Sequence, residues 1–321
     1  MTARHLTSIA VVVPCYNEEL NIDVFYTSLR SILETLHIPY QVIFIDDGSS
    51  DQTLALLNKL ADQNKEVSVL ALARNFGHQM ALTAGLDHVE ADAVITMDSD
   101  LQHPPEVIPQ MLRAYESGFE VVYAIRESET FRGPVKRLTA SVFYSLMQHI
   151  TSLPVIPGAA DYRLVSRQAL LVLREMREIH RYLRGMVPWM GFPYAVVTYA
   201  PRDRHAGTTK YTLSRMTQLA KHGLFSFSTF PLTVITWLGV ILSALAGIYL
   251  IYIFMITVVF PVSGVVPGWA SVIVVLLIVS GIQLISLGVL SQYVGMIFEE
   301  VKDRPLYVLK QKRLQRDKDE S

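Results

Sequence analysis

Seventy-seven consecutive residues, His222 to Phe298, contain no Asp, Glu, Lys or Arg. A plain soluble chain does not tolerate such a run, since a bilayer-crossing helix needs about 20 apolar residues and soluble core helices rarely exceed that. Two segments are long enough, Leu232–Phe260 and Trp269–Met296. The Pro/Gly-punctuated stretch Pro261–Gly268 between them has room only for a hairpin turn. Gln283 and Gln292 are expected to pack helix to helix. Basic residues flank the outer ends: Arg215 and Lys221 before, and Lys302, Arg304, Lys310, Lys312 and Arg313 after. That bias places both ends in the cytoplasm and the turn outside.

The remaining charge is also segregated. Residues 1–125 hold 6 basic and 17 acidic side chains, residues 126–221 hold 15 and 6, and residues 299–321 hold 7 and 6. A formal net charge of −1 therefore conceals an acidic block, a basic block and a neutral apolar block. The single cysteine, Cys15, excludes an intramolecular disulfide framework and a cysteine-rich metal site, and fits a reducing compartment. Met1 to Ser8 is polar and the first apolar run closes on Pro14, so no secretory signal is expected.

Two periodicities alternate through the acidic block. Strands are predicted at Ser8–Pro14, Tyr40–Asp46, Val67–Ala73, Ala93–Asp98 and Phe119–Ile125. Helices are predicted at Asn21–Leu36, Asp51–Asn64, His78–Val89 and Pro105–Ser117. This is the signature of an α/β domain with a mostly parallel sheet, whose ligands lie beyond the carboxyl ends of the strands. Polar clusters sit at those ends: Tyr16-Asn17-Glu18, Asp46-Asp47-Gly48, Arg74-Asn75, Asp98-Ser99-Asp100 and Arg126. In the basic block, residues 134–151 and 211–229 combine apolar and basic faces. That pattern suits a helix lying in a membrane interface; a surface helix facing a core is the alternative for both, and it weighs less for the second, which runs straight into the apolar block.

Asp98-Ser99-Asp100 is the sharpest local signal. Two carboxylates one residue apart at a strand end suit a hard divalent cation, which takes oxygen ligands and leaves positions for phosphate oxygens. Asp46-Asp47-Gly48-Ser49 reads as a turn with a helix cap, as an acceptor for a nucleotide base or ribose, or as both. Neither G-x-G-x-x-G nor G-K-[ST] is present, so dinucleotide and P-loop readings lose support. His78, His103 and His205 read as helix-start or loop histidines rather than metal ligands.

The set VVVPCYNEE, IDDGSSD, ARNFGH and DSDLQHPPE resembles the nucleotide-sugar-binding domain of the family 2 glycosyltransferases. PGAADYRLVSR and DRHAGTTKY resemble later motifs of the polyprenyl-phosphate glycosyltransferases, the group that includes dolichyl-phosphate mannose synthase. SFSTFPL, two spans and SLGVLSQYVGMIFEEVKDRPLY are most similar to the bactoprenol (undecaprenyl-phosphate) glucosyltransferases. The resemblance covers residue 8 to about residue 310. It implies a GT-A, Rossmann-like fold, with interfacial helices and a two-helix transmembrane hairpin.

The resemblance also implies a site. Pro14, Tyr16, Asn17, Glu18, Asp46 and Asp47 would hold the nucleotide. Asp98 and Asp100 would hold Mg²⁺ or Mn²⁺ on the diphosphate, with Ser99 between them and Gln102 nearby. Arg126, Arg204 and Lys210 would face phosphates, and Asp161 and Arg163 would lie at the sugar and acceptor end. Ser291-Gln292 departs from the Gly-Glu expected after the transmembrane Gly-Val-Leu, a difference that concerns helix packing or lipid contact.

The expected organisation is a nucleotide-sugar-binding core at 1–126, an acceptor side with an active-site loop at 127–210, and an interfacial helix at 211–230. Two transmembrane helices follow at 231–297, then a cytoplasmic tail at 298–321. The stretch Arg202 to Lys210 is expected to close over the site. The expected reaction is inverting transfer of glucose from UDP-glucose to polyprenyl phosphate in the inner (cytoplasmic) membrane. The expected form is a homo-oligomer with its catalytic domain in the cytoplasm and no nucleic-acid partner. GDP-mannose, UDP-galactose, UDP-GlcNAc or a modified pentose donor is the alternative within the same reaction. A lipid flippase or an inactive scaffold is the alternative from another class. A flippase needs ionisable groups at membrane depth, and none stands between His222 and Phe298.

Overall fold

A computed structural model describes residues 6–127, 156, 158–200, 230–255, 259 and 268–314. The segments 134–151 and 211–229, the residues Arg204, His205 and Lys210, and the turn 261–267 lie outside the described residues. The chain divides into two units, one comprising Met1–His149, Leu153–Thr217 and Arg304–Ser321, the other Ile150–Ser152 and Gln218–Asp303.

The first unit is organised around β1 (Ile9–Cys15), in which every residue is buried. Burial on both faces is why this segment is a continuous β-branched run rather than an alternating one. It pairs in parallel with β2 (Tyr40–Asp46) and β4 (Ala93–Thr96), and β2 pairs in parallel with β3 (Val67–Leu72). The sheet order is β7-β5-β6-β4-β1-β2-β3-β8. Strand β6 (Ala159–Ser166) runs antiparallel between β4 and β5 (Val121–Arg126), and β7 (Tyr194–Tyr199) is parallel to β5. The expected mostly parallel α/β sheet is present, with β6 and β8 (Leu309–Arg313) as its antiparallel members.

Helix α1 (Ile22–Thr35) buries Ile22, Phe25, Tyr26, Leu29 and Leu33, a stripe at helical spacing. Phe25 and Tyr26 meet Phe44 of β2 edge to face, at 6.2 and 6.3 Å between ring centroids. Helices α2 (Thr53–Gln63), α3 (His78–His88), α4 (Ile108–Glu116), α5 (Arg167–Glu175) and α6 (Leu183–Trp189) complete this unit among the described residues.

The last strand comes from the far side of the apolar block. Residues 309–313, which read as part of a polar tail, pair antiparallel with β3 and cover its edge. Ala73 N–H donates to the Val308 carbonyl at 2.8 Å. Gln311 donates to Asn58, Arg313 bonds Asp62, and the Tyr307 hydroxyl bonds Asp87 at 3.0 Å. Short, charged strands of this kind carry no alternating pattern, so their pairing is visible only in three dimensions.

In the second unit, α7 (Phe230–Phe254) and α8 (Trp269–Val301) contact each other. Windows within them have mean hydropathy 2.0 and 2.7, and none of either window is buried. Both helices are long and apolar enough to cross a membrane.

Two glycines set the spacing around the sheet's carboxyl edge. A Cβ on Gly85 would lie 2.3 Å from Val12 Cγ1 and 2.6 Å from Ile45 Cδ1, so α3 sits against β1 and β2 only without a side chain there. Gly48 has φ +69°, and its Cβ would meet the Arg74 carbonyl carbon at 2.5 Å. The Gly85 clash is with side chains that can shift, whereas the Gly48 clash is with backbone. Both Gly85→Ala and Gly48→Ala are expected to destabilise the protein by about 1–3 kcal/mol, with Gly48→Ala the costlier. Thermal unfolding of the detergent-solubilised protein checks this, and an unchanged midpoint for Gly48→Ala contradicts it.

Candidate active site

The loops after β1 and β2 are laced together by side chain to backbone bonds. Asn17, at φ 54°, donates its N–H to Ser49 Oγ (3.0 Å) and accepts from Ser50 N–H (2.9 Å). Glu18 N–H donates to Thr53 Oγ1 (2.8 Å), and the Glu18 carboxylate accepts from Asn21 (2.6 Å). Pro14, Tyr16, Asn17 and Glu18 are thereby held at the carboxyl ends of β1 and β2, with Tyr16 38% exposed. Cys15 is buried beside them, and burial pushes its thiol up.

Asp46 and Asp47 are both buried. Asp46 receives the Ser49 N–H at 3.3 Å, and its carboxyl is raised by burial against that bond. Asp47 accepts from Phe76 N–H (2.7 Å) and Gly77 N–H (3.0 Å), so both its oxygens hold the loop that leads into α3. The local turn bond is made by Asp46 with Ser49, whereas the bonds of Asp47 run to the loop after β3, which the sequence reading did not include.

Asp98, Ser99 and Asp100 follow β4. Ser99 is buried and reaches the Pro14 carbonyl at 3.5 Å. Asp100 accepts from Gln102 N–H at 3.1 Å, and Gln102 in turn accepts from Arg126, at the end of β5, at 3.1 Å. Asp98 N–H donates to His103 Nδ1 at 3.0 Å. Asp98 Oδ1 lies 2.8 Å from His78 Nε2, while Oδ2 makes no hydrogen bond among the described residues, its nearest ring nitrogen being His103 Nδ1 at 3.7 Å. Burial pushes the Asp98 carboxyl up, and the imidazoles of His103 and His78 with Arg184 more than offset it, holding the acid well below the usual range.

Asp161 lies on β6 and is 1% exposed. Its Oδ1 meets Arg163 at 2.5 Å, and its Oδ2 meets Arg184 at 2.8 and 3.1 Å, Gln79 at 3.3 Å and His78 Nδ1 at 3.8 Å. Burial raises this acid, and Arg163, Arg184 and His78 together bring it below its ordinary value. Arg163 is itself buried, and its Nη1 donates to the Leu183 carbonyl at 2.9 Å. It therefore reaches the site through Asp161 rather than by its own surface. Burial works against charge on His78, but Asp98 and Asp161 prevail and raise its pKa to about 9.

The structure thus brings Asp98, Asp161, Arg163, Arg126 and Gln102 toward one edge of the sheet and adds His78, Gln79, His103 and Arg184. Arg184 had no sequence signal beyond its charge. The indirect signal was Asp161 itself, since an acid buried on a strand requires counter-charges. Among the described residues no three His, Cys, Asp or Glu side chains are grouped to hold a metal. The pair Asp98 and Asp100, with Asp98 Oδ2 open, instead fits a hard cation that binds one or two carboxylates and completes its shell with water and substrate phosphate.

Residues 10–173 match the profile described as Glycosyl transferase family 2. The glycosyltransferase sll0501 of Synechocystis sp. is 38% identical over 301 residues, 94% of each chain. The bactoprenol glucosyl transferase of Shigella phage SfII is 39% identical over 302 residues, 94% of this chain and 97% of that one. Among solved structures, mannosyl-3-phosphoglycerate synthase from Rubrobacter xylanophilus aligns with a TM-score of 0.47 and 16% identity, covering 68% of this chain and 71% of that one. A profile match over half of the chain and relatives above 30% identity along nearly all of it leave one conclusion: the chain is a glycosyltransferase and belongs to glycosyl transferase family 2.

Proposed function

We propose that this enzyme transfers glucose from UDP-glucose to undecaprenyl phosphate, with inversion, while anchored in the cytoplasmic membrane by α7 and α8. The observation that carries this reading is the extent of similarity to the phage bactoprenol glucosyl transferase, which takes in both the acidic site and the apolar helices. The same reaction with another nucleotide sugar is the second reading.

The acceptor phosphate is already ionised at neutral pH. Its oxygen attacks C1 as the bond from C1 to the diphosphate oxygen breaks, and the bonding pair leaves with the diphosphate. No proton moves, so positioning and electrostatic stabilisation suffice. Pro14, Tyr16, Asn17, Glu18, Asp46 and Asp47 line the nucleotide end. Asp98 and Asp100 would hold Mg²⁺ or Mn²⁺, which when bound supplies charge neutralisation on the leaving diphosphate. Arg126, Arg204 and Lys210 act as phosphate-facing cations. Asp161, fixed by Arg163, orders Arg184 and His78 at the sugar end. Purified enzyme incubated with undecaprenyl phosphate and a panel of nucleotide sugars tests the donor: UDP-glucose is expected to give the fastest lipid-linked product, and preference for another sugar selects the second reading.

Asp98→Asn and Asp100→Asn are each expected to cut metal-dependent transfer by at least about 100-fold while the protein stays folded. Lipid-linked sugar formation is measured with Mg²⁺, with Mn²⁺ and after chelation. Full activity in both variants, or in chelator, removes the metal role.

Both termini are proposed to be cytoplasmic, with only Pro261–Gly268 outside. Cys15 is the one native cysteine and is buried, so single introduced cysteines report cleanly. An impermeant thiol reagent on intact cells is expected to label Ser263→Cys and spare Ser321→Cys. The opposite pattern reverses the orientation and strands the donor site away from cytosolic nucleotide sugars.

A further inference from the structure

We propose that His78 is a positioning residue for the metal-binding carboxylate: it occupies Asp98 Oδ1 and leaves Oδ2 directed to the divalent cation. This rests on the metal-dependent reading of Asp98 and Asp100. The geometry is unusual for a helix-start histidine. His78 opens α3, directly after Gly77 at φ 99°, and its ring is 43% exposed by side chain, yet it reaches an acid 20 residues away. Of the two oxygens of Asp98, one is engaged at 2.8 Å by His78 Nε2, and the other makes no hydrogen bond among the described residues. A carboxylate held at one oxygen and pinned at its own backbone N–H by His103 keeps a single orientation. Hydrogen-bonded outer partners of this kind orient metal-binding carboxylates and set their affinity.

The support for His78 is built from a different strand. Asp47, at the end of β2, accepts the N–H groups of Phe76 and Gly77 and so fixes the two residues before His78. On its far edge, His78 Nδ1 stands 3.8 Å from Asp161. Together β2, through Asp47 and His78, specifies the oxygen that Asp98 presents at the end of β4.

The test is Mn²⁺ binding to the detergent-solubilised full-length protein in the presence of UDP, followed by the electron paramagnetic resonance of free Mn²⁺. His78→Ala is expected to raise the Mn²⁺ dissociation constant by about 10–100-fold. His78→Gln, which retains an N–H donor, is expected to recover part of the loss, and thermal unfolding verifies that both variants are folded. Asp47→Asn, which keeps one acceptor, is expected to shift the constant in the same direction by less. The Mn²⁺ concentration needed for half-maximal transfer should move with the dissociation constant. Unchanged or tighter Mn²⁺ binding in folded His78→Ala, with binding lost in Asp98→Asn, overturns the role of His78 and leaves the metal site standing. No Mn²⁺ binding by the wild-type protein overturns the metal site and this inference together.

Discussion

A carboxylate buried to 1% exposure at Asp161 is the constraint on which the rest of the site depends. A lone buried anion costs several kcal/mol of desolvation, and only close, well-directed counter-charges offset that. Arg163 comes from the same strand two residues on, and so lies on the same face. Arg184 comes from α6, and His78 and Gln79 from the start of α3. Satisfying one acid therefore fixes two elements, α3 and α6, against β6. Removing a single partner leaves the others facing an uncompensated charge, so these groups are expected to act as a unit rather than additively.

The position of β6 explains how this cluster meets Asp98 and Asp100. By running antiparallel between β4 and β5, β6 pairs Arg163 with Thr96, two residues before Asp98. The Thr96 hydroxyl donates to the Asp161 carbonyl. A donor site assembled only from the parallel strands would have a carboxylate pair and few cations, since the first 125 residues carry 17 acidic and 6 basic side chains. The inserted strand and α6 import positive charge from the basic block. The opposed charges of the two sequence blocks are thus partly neutralised across one sheet edge.

The first five strands and four helices were legible because each is a continuous apolar run or a helical stripe of local origin, as in β1 and α1. What was not legible depends on contacts distant in sequence. Residues 309–313 read as a tail because Leu-Lys-Gln-Lys-Arg has no apolar face, and they become a strand only by covering the open edge of β3. Asp98 and Asp161 were visible as motif acids. The sequence assigned Asp47 to a turn or a nucleotide and His78 to a helix start, and neither assignment includes the bonds that Asp47 sends to the next loop or His78 to Asp98. Such bonds span 29 and 20 residues and leave no periodicity to read.

The path of the chain after α8 adds a last physical consequence. The apolar helices are bracketed by segments of the first unit, which resumes at Arg304 and contributes β8 to its sheet. The hydrogen bond from Ala73 N–H to the Val308 carbonyl falls at the end of β3, immediately before the loop of residues 74–77 that Asp47 holds and that delivers His78. An edge strand left open at that point would present unpaired backbone groups and fray from its end. Covering it with β8 stiffens the support of His78 from the side opposite Asp47. The segment that follows the apolar helices is thereby part of the structure that fixes the acidic site, and its charged sequence also keeps the outermost strand soluble.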